Sequence, residues 1–124
     1  MATNPITPTA GLQLRTEKTA EETLVHGSGR ITSATSDSLQ NTIRELIPGA
    51  KRIVLDLTEV NYIDSSGLGA LVSVYLAASR AQCVLELANP RQRIRDLFEL
   101  SKLTAVFESR ISKLDLDTRR KLSV

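Results

Sequence analysis

The chain has 124 residues, 41% of them hydrophobic, and its sixteen basic and fourteen acidic side chains leave a formal net charge of +2. This length suits one domain with its own core, and the near balance of charge does not indicate nucleic-acid binding. Only one cysteine occurs, which excludes a disulfide within the chain and a thiolate metal site.

The first ten residues predict a flexible leader, because Pro5, Pro8 and several threonines offer nothing to bury. This segment has neither the basic nor the apolar region of a signal peptide, and no apolar run approaches the ~18 residues of a membrane span. We therefore expect a cytoplasmic protein without direct membrane insertion.

Two strands follow the leader. Apolar and polar residues alternate over 11–17, which predicts a half-buried strand. A second strand covers 22–26 and continues unevenly to Ile31, where Gly27 and Gly29 indicate a bulge or a close backbone approach. The short connection between the two strands predicts a hairpin.

An amphipathic helix comes next, with its apolar stripe at Leu39, Thr42, Ile43, Leu46 and Ile47. Its start is expected to be capped by Ser33, Thr35 or Ser36, and its end is set by Pro48-Gly49. The following strand, 52–57, is apolar at nearly every position, which predicts a central strand covered on both faces.

A second helix over 66–81 is apolar almost all round, so it either packs deeply or presents part of itself to a partner. Residues 83–88 predict a strand in which Cys83 serves as a small buried hydrophobe. Asn89 is expected to cap a third helix that begins at Pro90. A last strand is predicted at 104–107, and 109–124 is either a weak helix or disordered.

These elements follow the order β-β-α-β-α-β-α-β. Strands joined by helical crossovers must pair in parallel, whereas the hairpin is antiparallel. We therefore predict a single α/β domain in which a mixed, mostly parallel sheet of about five strands packs against helices.

Known catalytic patterns are missing from the chain. His26 is the sole histidine and alternates on a predicted strand, which favours a packing role. A nucleophile elbow would need glycine at Ile63 or Asp64, Val72 replaces the third glycine of a dinucleotide fingerprint, and no P-loop occurs. The carboxylates of Asp56, Glu59 and Asp64 lack further metal ligands. We expect no enzyme activity, no metal and no cofactor.

The segment Asp64-Ser65-Ser66-Gly67-Leu68-Gly69 joins the central strand to the second helix. Its serines stand where free N–H groups and the helix dipole favour an anion, such as the phosphate of a phosphoserine. Asp and Ser are also ordinary capping residues, and the glycines would let the helix start close to the sheet. The spacing alone leaves both interpretations open.

The segment Ile53 to Gly69 closely resembles the central part of STAS domains, the family of bacterial anti-sigma factor antagonists. The stretch from Ala88 to Leu103 is similar to the last crossover helix of that family. The resemblance implies a STAS domain over about 11–108, between the leader 1–10 and the tail 109–124.

The resemblance also implies partner switching. Ser65, or alternatively Ser66, would be phosphorylated by an anti-sigma factor that is itself an ATP-using serine kinase, and a PP2C-type phosphatase would reset it. ATP and magnesium would belong to the kinase, and the unphosphorylated chain would bind the kinase to release its sigma factor. The implied partner-binding residues are Thr32, Ser33, Asp64, Ser65, Ser66, Gly67, Leu68 and Gly69.

One position departs from the family. The loop after the second strand often carries an aspartate there, and this chain has Thr32, which keeps a hydrogen-bonding group without the charge.

An alternative implied by the resemblance is a docking subunit of a signalling assembly or lipid-transport complex, which needs no phosphate. A hydrolase using Ser65 ranks last, since no base is available.

Overall fold

The computed structural model describes residues 11–100 in full, together with the backbone of three short strands nearer the termini. In chain order the elements are β1 (Ala2–Thr3), β2 (Thr7–Thr9), β3 (Leu12–Lys18), β4 (Thr23–Ile31), α1 (Ser36–Leu46), a 3-10 turn (Ile47–Gly49), β5 (Arg52–Ile63), α2 (Ser65–Arg80), β6 (Val84–Ala88), α3 (Gln92–Leu100) and β7 (Ile111–Ser112).

All the described strands belong to one sheet in the order β1-β3-β4-β5-β6-β7, with β2 also paired to β3. The β3–β4 hairpin is antiparallel, and the β4–β5, β5–β6 and β6–β7 pairs are parallel. The predicted hairpin and the predicted mixed α/β sheet are confirmed. The described part of the chain has seven strands where about five were predicted. Three of the seven, β1, β2 and β7, are only two or three residues long.

The strands in the leader differ from the prediction. Ala2–Thr3 and Thr7–Thr9 pair antiparallel with the two ends of β3, although the sequence predicted no regular structure there. Backbone pairing to an edge strand needs no buried side chain, and Pro8 is tolerated in a strand at the edge of a sheet. Side-chain patterning alone therefore missed these strands.

The C-terminal predictions are largely untested. The strand predicted at 104–107 lies outside the described residues, as does most of the tail 109–124. Within that tail, β7 pairs with Leu87 and Ala88 of β6. The limits of the leader, domain and tail stay predictions.

Strand β5 lies at the centre of the sheet, between β4 and β6, as predicted. Ile53, Val54, Leu55 and Leu57 are fully buried on it. Helix α2 packs deeply against the core through Leu68, Ala70, Leu71, Val74 and Ala78, and α1 does so through Leu39 and Ile43. Cys83 is 4% exposed within this core, which confirms its predicted role. Within the described residues, no helix has the length and apolar character needed to cross a membrane.

Strand β5 continues six residues beyond the predicted end at Leu57, because it pairs by backbone with the far half of β4. Its register shifts beside Gly27 and again between Gly29 and Arg30, so the predicted bulge is present. Gly29 has φ +114°, and a Cβ on it would lie 2.2 Å from the Gly11 carbonyl oxygen. This close approach of two strands requires glycine.

Two helix starts differ from the prediction. Thr35 occupies the position before α1, but its side chain caps no N–H group of that helix. Helix α3 begins at Gln92, two residues later than predicted, because Asn89 adopts a left-handed conformation (φ +54°) and the Arg91 carbonyl accepts the first helical hydrogen bonds. Asn89 therefore turns the chain before the helix, and its capping role stays a prediction.

Candidate partner-binding site

Asp64 starts helix α2 and fixes its first turn. Its backbone is extended (φ −99°, ψ −175°), and its carboxylate accepts a hydrogen bond from the Gly67 N–H at 2.8 Å. Its carbonyl accepts another from the Leu68 N–H at 2.9 Å. The first N–H groups of a helix have no acceptor within the helix, so the carboxylate satisfies one of them. Asp64 performs the ordinary capping role and leaves both serine hydroxyls out of it.

Gly67 allows the helix to start in direct contact with the end of β4. A Cβ on Gly67 would lie 2.2 Å from the Ile31 carbonyl oxygen and 2.9 Å from Cγ2 of Ile63. The Asp64 N–H donates to the same Ile31 carbonyl at 3.2 Å. A Cβ on Gly69, by contrast, would meet nothing within 4 Å. The backbone of the turn is thus locked to β4, and the loop that follows Ile31 is brought beside it.

Ser65 and Ser66, the first two residues of α2, are both exposed, as is Gly69. Gly67 and Leu68 are buried, and Leu68 packs in the core at 7% exposure. Of the residues predicted to bind a partner on this turn, the serines and Gly69 lie at the surface. Gly67 and Leu68 instead fix the position of those residues, Gly67 by its close contact with Ile31 and Leu68 by packing in the core.

The loop from Thr32 to Thr35 is held by its own hydroxyl groups. The Thr32 N–H donates to Oγ1 of Thr35 at 2.9 Å, and that hydroxyl donates to the Arg30 carbonyl at 2.9 Å. Oγ1 of Thr32 accepts from the Ala34 N–H at 3.2 Å, while Ser33 is exposed. Thr35, only 1% exposed, is the structural brace of the loop, a role that sequence reasoning missed by treating it as a cap.

A second polar group lies across the middle of the sheet. Nδ1 of His26 on β4 is 3.1 Å from a carboxylate oxygen of Asp56 on β5, and Nε2 is 3.4 Å from a carboxylate oxygen of Glu17 on β3. All three side chains are largely buried. The packing role predicted for His26 is confirmed, and its partners are separated from it by too many residues for spacing to reveal them.

The pKa of Asp56 is lowered. Burial by itself raises the pKa of this carboxyl group, but hydrogen bonds from His26 and from the N–H and hydroxyl of Thr58, together with the charge of His26, outweigh that effect. Asp56 is therefore ionised and fully engaged at neutral pH.

The two polar groups are well separated. Asp56 precedes the serine turn by the seven residues 57–63 of β5, which at the rise of an extended strand is roughly 20 Å. The three carboxylates weighed as metal ligands do not converge, since Asp56 faces His26 and Asp64 caps α2. Among the described residues, no group of three or more His, Cys, Asp or Glu side chains is arranged to hold a metal ion.

The geometry defines a small α/β domain with exposed hydroxyls at the start of a helix. These hydroxyls lie at the carboxyl end of a parallel strand, where α/β folds commonly place their binding sites. A family model described as "Mlab, STAS domain" matches residues 14–111. The chain belongs to the STAS domain family, as the sequence resemblance predicted.

Relatives and solved structures agree with this assignment. The chain is 34% identical over 83 residues to the anti-sigma-B factor antagonist of Listeria monocytogenes, which covers 65% of this chain and 72% of that protein. The unphosphorylated anti-sigma factor antagonist SpoIIAA has a similar structure, with a TM-score of 0.69 at 17% identity over 88% of this chain and 95% of that one. The phosphorylated form of SpoIIAA, a Bacillus cell fate determinant, matches with a TM-score of 0.67 at 18% identity, covering 88% and 98%. At such identities the two structures establish the fold alone.

Proposed function

We propose that this chain is an anti-sigma factor antagonist that acts by partner switching. Its unmodified form binds an anti-sigma factor serine kinase and thereby releases the sigma factor. Phosphorylation of Ser65 abolishes this binding, and a PP2C-type phosphatase restores it. The observation that carries the proposal is an exposed Ser65 on a helix start that Asp64 and Gly67 hold rigidly. The names of the relatives, which include anti-sigma factor antagonists, support the same role.

The free chain should tolerate a phosphate at this position. A phosphoserine adds about −1.5 to −2 charges, and the helix dipole offsets this by roughly 0.3–1 kcal/mol at an exposed N-terminus. Because Ser65 is exposed, its phosphate stays in contact with water. We therefore expect little change in the free energy of unfolding.

A closed interface is far less tolerant. An unpaired charge buried against a partner costs on the order of 3–5 kcal/mol, which corresponds to a factor of at least about a hundred in affinity. The carboxylate of Asp64, adjacent in sequence, adds like-charge repulsion. The same phosphate therefore leaves the fold intact and removes the partner.

In this proposal the chain is a substrate and a docking module, not an enzyme, and it works in the cytoplasm. ATP and magnesium are held by the kinase. The sole histidine supports this assignment, because His26 is engaged by Glu17 and Asp56, and Asp56 lies roughly 20 Å along β5 from the serine turn. Ser65 has no histidine base and acts as a phosphate acceptor.

The test is incubation of the purified chain with a serine-kinase anti-sigma factor from the same genome and Mg-ATP, followed by intact-protein mass measurement. We expect a mass gain of one phosphate in the wild type and in Ser66→Ala, and none in Ser65→Ala. A gain that survives in Ser65→Ala and disappears in Ser66→Ala would move the acceptor to Ser66. Absence of any gain, with no binding to such a kinase, would overturn the proposal.

A docking role without phosphate is the alternative, either in a signalling assembly or in a lipid-transport complex. Leu76 on α2 favours it, since this large apolar side chain is 44% exposed. The mass measurement separates the two roles, because a scaffold subunit binds its partner stably and gains no phosphate. Loss of that binding on Leu76→Asp, with binding retained in Ser65→Asp, would support the alternative.

A further inference from the structure

Arg30 and Tyr62 form an exposed stack beside the serine turn. They are paired across β4 and β5, and the guanidinium carbon of Arg30 lies 4.6 Å from the centre of the Tyr62 ring. Arg30 is exposed and Tyr62 is 43% exposed, while the next pair, Ile31 and Ile63, is buried. Tyr62 precedes Ser65 by three residues, so the stack borders the proposed phosphorylation site.

A shallow cleft of about 250 Å³ opens on this tyrosine between the end of β5 and helix α3. Asn61 and Tyr62 line it from β5 and Arg93 lines it from α3, above buried Ile63 and Ile94. Arg93 is exposed. Tyr62 therefore stacks with an arginine of β4 and lines a cleft that also has an arginine of α3.

This combination has a defined chemistry. Guanidinium groups stay charged at all physiological pH values and bind carboxylates through two parallel hydrogen bonds. Stacking on the ring restricts the side chain of Arg30 before any partner arrives, which lowers the entropy lost on binding. Tyrosine and arginine are also the residues that most often dominate binding energy at protein interfaces. The carboxylate of Asp64, close in sequence, is engaged by the Gly67 N–H.

We propose that the Arg30–Tyr62 stack, together with the adjoining cleft lined by Tyr62 and Arg93, docks an acidic segment of the protein partner, whose Asp or Glu side chains bind the two guanidinium groups. This inference rests on the proposed function in one respect, namely that the docked partner is the anti-sigma factor. Phosphate on Ser65 then also weakens binding through electrostatic repulsion, because it adds negative charge beside a surface that binds acidic side chains of the partner.

A titration of the free chain tests the cleft without the partner. A short oligoglutamate peptide is added while backbone amide and arginine Nε–H signals are followed by NMR, with an oligolysine peptide as the control ligand. We expect saturable shifts centred on Arg30, Tyr62 and Arg93 with oligoglutamate only. The shifts should be lost in Arg30→Gln and retained in Arg15→Gln, since Arg15 is an exposed arginine on β3. Shifts that are absent, or that spread equally over Arg15, would overturn the docking site.

Binding to the anti-sigma factor gives the second arm. Arg30→Glu should weaken binding about tenfold, as loss of a close charge pair does, whereas Arg15→Glu should change it less than about twofold. If Arg30→Glu binds like the wild type while Ser65→Asp does not, the docking inference is wrong and partner switching stands. If the wild type binds no such kinase, partner switching is wrong, and the oligoglutamate titration still decides the docking site.

Discussion

The serine turn at the start of α2 and the Glu17–His26–Asp56 group across β3, β4 and β5 use polar residues in opposite ways. In the serine turn the backbone is fully constrained, by the Asp64 cap and by Gly67 against Ile31, and the serine hydroxyls are exposed. In the sheet group the side chains are largely buried and contact one another through polar atoms.

The difference separates structural from functional polar residues. A polar side chain that is buried and fully engaged contributes to stability and is not available for chemistry. A hydroxyl that is exposed on a rigid backbone contributes little to stability and presents a fixed shape to a partner. Substitutions in the sheet group should therefore act on stability, and substitutions of exposed groups at the turn should act on binding.

The largest stability effect is expected for Asp56→Ala. This change removes the partner of His26 and of the Thr58 hydroxyl inside the sheet, and breaking a buried, hydrogen-bonded pair costs about 3 kcal/mol. Chemical denaturation measures the loss. Glu59→Ala is the matched control, because Glu59 lies on the same strand and is exposed, so its loss should stay within about 0.5 kcal/mol. Equal losses for the two substitutions would contradict the view that the buried sheet group contributes more to stability than an exposed carboxylate does.

The pH dependence of stability sharpens the same point. The pKa of Asp56 is lower in the folded chain than in the unfolded one, where it is about 3.9. Its contribution is therefore complete above that value and is lost as the pH falls through the folded-state pKa. The gap in unfolding free energy between wild type and Asp56→Asn should shrink in acid below about pH 4. A gap that stays constant into strong acid would contradict the ionised, engaged state of Asp56.

The two glycines of the turn should respond differently to alanine. Gly67→Ala places a Cβ against the backbone of Ile31, so the helix start must shift, with an expected loss of about 2 kcal/mol. Gly69→Ala meets no neighbour and should stabilise the helix by about 0.5–1 kcal/mol. Thermal unfolding of the two variants compares them directly. A Gly67→Ala variant as stable as Gly69→Ala would mean that the turn is not locked to β4.

The smallest expected loss of stability among these variants concerns the cap. Asp64→Ala leaves the Gly67 N–H without its acceptor and should lower the unfolding free energy by about 1 kcal/mol. Ser66→Ala removes an exposed hydroxyl two residues after Asp64, and it should change the unfolding free energy by no more than a few tenths of a kcal/mol. Denaturation of both variants under one condition suffices. A larger loss for Ser66→Ala than for Asp64→Ala would mean that Asp64 is not the residue that caps the helix.

Periodicity predicted the parts of the fold that are decided by apolar burial. The stripe of α1, the central position of β5 and the deep packing of α2 all follow from which residues are hydrophobic. The second half of β5 was missed because Thr58, Glu59 and Asn61 interrupt its apolar run, and its pairing to β4 depends on backbone hydrogen bonds.

The candidate site was predictable in composition and not in geometry. The motif at residues 64–69 located the turn, but the contact of Gly67 with Ile31 joins residues far apart in the sequence. The stack of Arg30 on Tyr62 and the pair of His26 with Asp56 depend on strand register in the same way. Gly27 and Gly29 indicated a bulge, but they did not show which residues of β4 and β5 pair.

The central claim is that a negative charge at Ser65 changes partner binding and not the stability of the fold. The most direct test measures, for Ser65→Asp, both the affinity for the anti-sigma factor kinase and the melting temperature. Ser79→Asp, an exposed position near the other end of α2, carries the same charge change as a control. We predict that Ser65→Asp weakens binding at least about a hundredfold while Tm shifts by less than about 3 °C, and that Ser79→Asp changes neither strongly. Equal affinity of Ser65→Asp and wild type, or a loss of affinity matched by a large fall in Tm, would contradict the account.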